Sequence, residues 1–87
     1  MYGVVAMVDI TDPEAAVKTL EEQVIPMVKQ APGFVGAYWL RLDEVKGASV
    51  VIFETEEQAR AGAPEVGGES PGVTFTSVKF GEVVGRA

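Results

Sequence analysis

The stretches of this chain that read as strands are apolar on both faces. Tyr2 to Val8 runs Tyr, Gly, Val, Val, Ala, Met, Val, and Ser49 to Phe53 runs Ser, Val, Val, Ile, Phe. A strand in a small antiparallel sheet alternates apolar-in with polar-out when one of its faces meets water. Strands with two apolar faces need cover on both sides. With 87 residues the chain can supply two short helices, enough for one face. The most economical cover for the other face is a second copy of the same chain.

Hydrophobic content of 47% over this length specifies one compact domain, residues 1–87. A chain of this size buries only about 60–65% of its unfolded surface, so oligomerisation is a natural way to stabilise it. Cysteine and histidine are both absent, which excludes disulfides, thiolate nucleophiles, Cys- or His-ligated metals and a Ser/His/Asp triad. No cofactor and no metal is expected. Thirteen acids against seven bases give a net charge of −6, without a basic cluster. That balance disfavours a nucleic-acid partner and an RNA-binding module. No apolar run approaches the ~20 residues of a membrane span. No charged segment followed by an apolar one opens the chain, so the expected location is cytoplasmic.

The order of elements is βαββαβ. Tyr2 to Ile10 is a first strand, ended by Thr11-Asp12-Pro13-Glu14, where Asp12 can cap a helix and Pro13 opens it. Ala16, Val17, Leu20, Val24, Met27, Val28 and Ala31 then recur at helical spacing as one apolar stripe. Pro26 interrupts it and predicts a kink or a frayed last turn. Phe34 to Leu42 is a second strand, with Phe34, Gly36, Tyr38 and Leu40 on one face and Val35, Ala37, Trp39 and Arg41 on the other. A turn over Asp43 to Gly47 leads into a third strand, Ala48 to Glu54. Thr55 to Gln58 matches a capping box opening a second helix to about Ala63. Pro64 to Gly72 reads as a flexible loop and Val73 to Val84 as the last strand. The expected fold is α+β and ferredoxin-like, an antiparallel four-stranded sheet of order 4-1-3-2 with two helices on one face. The helix-free face then presents large apolar side chains worth about 1.5–3 kcal/mol each when buried. Two copies packed through it would form a dimeric α+β barrel.

Four residues stand out as ligand candidates. Trp39 and Arg41 share a strand face, and a register opposing Arg41 to Ser49 adds Val51 and Phe53 to it. A flat aromatic surface with one cation suits an aromatic or anionic ligand. Trp and Arg are equally the residues enriched where proteins meet. Tyr38, like Tyr2, can donate a phenolic hydrogen bond into a cleft between helices and sheet, or serve as an amphipathic core residue. Asp9 and Glu54 read as solvated strand ends, and the Gly67–Gly72 loop matches no phosphate-binding pattern.

The helix opened by Pro13, the run from Ile25 through Ala31-Pro32-Gly33-Phe34 to Arg41, and the strand–Glu–helix junction Val50 to Ala59 are similar to one family. The chain resembles, over nearly its whole length, the dimeric α+β-barrel superfamily of antibiotic-biosynthesis-monooxygenase-like domains. The resemblance implies a homodimer joined through open sheet faces, with a small apolar or aromatic ligand between helices and sheet. It also implies, as an alternative, a cofactor-independent monooxygenase acting on an aromatic polyketide-type or quinol substrate. In that case Tyr38 or Arg41 would hold the substrate anion. The haem-degrading members use an Asn, a Trp and an iron-ligating His, and this chain has neither Asn nor His. Phe53 stands where many relatives place Trp, and near Gly62, where many place His, no group titrates. The residues thus leave open whether the chain is catalytic and which sheet face carries Trp39 and Arg41.

Overall fold

Each helix start encoded in the sequence is used. A computed structural model covers residues 1–87. Strand β1 (Tyr2–Ile10) ends where the Asp12 carboxylate accepts a hydrogen bond from Ala15 N at 3.2 Å and Pro13 takes the first position of helix α1 (Pro13–Thr19). Next come a π-helical turn (Leu20–Val24) and α2 (Ile25–Lys29), which continue α1 as one rod. Strands β2 (Phe34–Arg41) and β3 (Lys46–Phe53) form a hairpin. The Thr55 hydroxyl then accepts from Gln58 N at 3.2 Å to start α3 (Glu56–Ala61). Strands β4 (Glu69–Ser70) and β5 (Val73–Glu82) end the fold.

The sheet is antiparallel throughout and runs β2-β3-β1-β5-β4. It therefore has five strands and not the expected four in order 4-1-3-2. The added edge strand lies inside the segment expected to be a flexible loop. Gly67 N donates to Phe75 O and Phe75 N to Gly68 O, so this segment is tied to β5. No helix is long and apolar enough to cross a membrane.

Three further expectations need correction. Helix continues past Pro26 without a frayed end, and the irregularity lies before it as the π turn, closed by Ile25 N donating to Leu20 O. Pro26 has no N–H to donate and its ring crowds the carbonyl four residues back, which a wider turn relieves. One extra residue advances the helix phase by about 100°, and Met27 leaves the apolar stripe to become 67% exposed. In β2, the register shifts between Phe34 and Gly36, placing Phe34 opposite Phe53. This bulge moves Phe34 off the face of Gly36, Tyr38 and Leu40. In the hairpin, Arg41 opposes Gly47, and Trp39 opposes Ser49. The turn is shorter than expected because the Asp43 carboxylate accepts from Val45 N and Lys46 N, both at 2.8 Å. The shift is two residues, so Trp39, Arg41, Val51 and Phe53 still share a face.

All helices lie on that face. Ala59 of α3 is fully buried against Val4 and Phe53, with Tyr2, Val78 and Phe80 packed around them. Small residues let α3 sit low: a Cβ at Gly62 would lie 2.8 Å from Phe53 Cζ. Only Val4, Ala6, Phe53 and Ala59 among apolar residues are buried, so the tight core sits at the α3 end. At the other end the α1–α2 rod stands away from the sheet.

Candidate functional site

A taper along β3 produces a cleft under the rod. On the helix-covered face β3 presents Gly47, Ser49, Val51 and Phe53, small at one end and large at the other. Phe53 fills the α3 end. Gly47 and Ser49 cannot fill the α1 end, leaving a cleft of about 260 Å³. Val8 and Ile10 of β1, and Val73 and Phe75 of β5, form its floor beside them. Ala16, Val17, Leu20 and Val24 of the rod form the roof, Trp39 and Arg41 one wall, and Ser70 and Pro71 the opposite wall. The π turn thus supplies Leu20 and Val24 to the roof.

The end wall is built by one close backbone approach. Gly72 has φ +87°, and its carbonyl accepts from Thr11 N at 2.8 Å and Asp12 N at 3.2 Å. A Cβ there would meet Ala16 N and Asp12 O at 2.5 Å. Glycine is required both for the left-handed conformation and for the contact. Pro71 and Ser70 are held over the cleft as a result.

The candidates named from sequence separate. Trp39 and Arg41 line the cleft, Trp39 half-buried and Arg41 at the mouth. Phe53 belongs to the core beneath α3. Tyr38 pairs with Val50 on the opposite face of the sheet and is 76% exposed. Arg41 folds back over its own hairpin, Nε donating to Asp43 O at 3.2 Å and Nη2 to Glu44 O at 3.4 Å. The cleft walls are otherwise apolar except for the Ser49, Ser70 and Thr19 hydroxyls and the Trp39 indole. No carboxylate, phenol or amine side chain lines it. No group of three or more Asp or Glu comes together to hold a metal.

The small residues Gly47 and Ser49 become a signal for the cleft only in the observed register, since the expected one sets Val51 opposite Trp39. Ser70, Pro71, Val73 and Phe75 gave no signal, because they reach it only through the closure of β5 on β1. Gln58 shows a separate local conflict. Its Oε1 is buried without a partner, its side chain pressed on Gly33 and not returned to Thr55. No protein-family model, curated protein or solved structure matches the chain.

Proposed function

We propose that this protein is a homodimeric domain of the antibiotic-biosynthesis-monooxygenase-like, ferredoxin-like kind, and that its cleft binds a small apolar or aromatic molecule. The observation carrying this reading is the unfilled apolar cleft between rod and sheet, walled by Trp39 and floored by Gly47 and Ser49. Its volume lies just below the usual ligand-pocket range of about 300–1,000 Å³. Met7 and Met27, the flexible side chains best able to collapse into it, lie elsewhere: Met7 on the open sheet face and Met27 in solvent. Binding is favoured over turnover because the cleft offers no proton acceptor. The alternative, a cofactor-independent monooxygenase, would need a substrate that ionises unaided.

The dimer is supported by the open face, where Val5, Tyr38 and Leu40 are exposed beside the half-buried Met7, Val50 and Ile52. Asp9 and Lys46 pair with each other at its edge. The pair leaves no net charge at that edge, and Lys79, opposite Val5, is a further cation on this face of an otherwise acidic chain.

Trp39 is the only tryptophan, so its fluorescence reports occupancy of the cleft. Titration with 1,4-naphthoquinone should quench it saturably and raise the Tm. Ser49→Leu, from the floor, and Ala16→Leu, from the roof, should each fill the cleft and abolish saturation. Linear quenching in the wild type, or unchanged binding in both folded variants, would refute the ligand site.

A further inference from the structure

Arg41 is the one charged residue lining the cleft, and its guanidinium, held over the β2–β3 turn beside the mouth, makes no ion pair. The chain carries an excess of acids, yet none has paired with it: the ion pairs are Lys46 with Asp9 and Arg60 with Glu56. The nearest acid in sequence, Asp43, is turned into the hairpin, its Oδ1 accepting from Val45 N and Lys46 N, and makes no ion pair with Arg41. What Arg41 meets instead are the backbone carbonyls of Asp43 and Glu44, which fix the guanidinium through Nε and Nη2 without neutralising it. The Nη1 donors have no protein partner. A positioned cation with free donors, at the mouth of an apolar cleft, is complementary to an anionic head on an apolar body.

We propose that the ligand of the cleft is an amphiphilic carboxylic acid, its carboxylate on Arg41 and its apolar or aromatic body against Trp39 beneath the rod. This rests on the cleft being a ligand site, and it adds the class of ligand. The arrangement also orients the ligand: its charged end stays at the solvent-exposed mouth, where desolvation costs little, and its body lies where Gly47 and Ser49 leave room. A neutral molecule of the same shape would fill the same space without using the cation.

Calorimetric titration with 2-naphthoate and 2-naphthamide separates the two claims. At neutral pH and low salt the acid should bind about three- to tenfold more tightly than the amide, the range for a charge-assisted contact that is partly screened. Added salt should narrow the gap. Arg41→Gln should bring the two affinities level, and Arg41→Lys should keep part of the difference, since it retains the charge without the fork. Lys79→Gln, on the other face of the sheet, should leave the full preference. Equal affinities in the wild type, or an undiminished preference in Arg41→Gln, would overturn the carboxylate assignment while the cleft remains a ligand site. Binding of neither probe, together with linear quenching by naphthoquinone, would remove both.

Discussion

Lys46 and Asp9 face each other across β1 and β3, and their ion pair helps fix the register of the two central strands. The hydrogen bond from Asp9, and then its charge, hold the Lys46 ammonium above its ordinary pKa of 10.5. A base whose pKa is higher in the folded state stabilises that state fully below its ordinary value. The contribution is lost as pH rises through the folded value. Lys46→Met should therefore be less stable than wild type at neutral pH, with the gap closing above pH 10.5 in urea denaturation. A gap that persists there would mean that the ammonium charge contributes nothing. At this scale the sequence was informative about chemistry and silent about direction. Tyr38 and Trp39 are neighbours, and strand alternation sends them to opposite faces. Which face the helices would cover depended on packing remote from both.

Elements started where local chemistry dictated and departed from expectation where tertiary contacts intervened. Asp12 with Pro13, and Thr55 with Gln58, are N-terminal signals whose hydrogen bonds form within a few residues, so both were legible. The bulge at the start of β2 depends on a partner strand some twenty residues away. The two-residue β4, though it pairs with β5 just across the Pro71-Gly72 turn, is too short to carry a strand pattern, so neither was legible. Gly72 joins the two kinds. Its positive φ is a local demand, while its fit against Asp12 and Ala16 exists only once β5 has paired with β1. Gly72→Ala should cost at least about 1–3 kcal/mol, the range for a strained non-glycine backbone. It should also weaken ligand binding, because Pro71 and Ser70 lose their anchorage. A variant with unchanged Tm and affinity would show that this contact does not hold the end wall.

For the whole molecule the question is what covers the second apolar face. The helices occupy the face of Trp39 and Arg41, so Val5, Met7, Tyr38, Leu40, Val50 and Ile52 are left on the other. An isologous dimer places this patch against itself. Wild-type protein at micromolar concentration should elute from a sizing column as a dimer, and Leu40→Glu should elute as a monomer with lowered Tm. Elution of the wild type as a monomer would contradict the dimer. The two proposals are separable by experiment, since the cleft and the open face lie on opposite sides of the sheet.

The sequence by itself determined the α+β alternation, the capped helix starts and the presence of apolar residues on both strand faces. These follow from short-range hydrogen bonding and from the period of apolar residues, which any segment carries with it. Only the tertiary structure decided that Trp39 and Arg41 lie under the helices and Tyr38 on the open face. It also decided that the taper from Gly47 to Phe53 becomes a cleft at one end and a core at the other. The reason is geometric: a small side chain leaves a space only when the element above it is held off, and here the backbone of Gly72 stands against Asp12 and Ala16 at the start of that element.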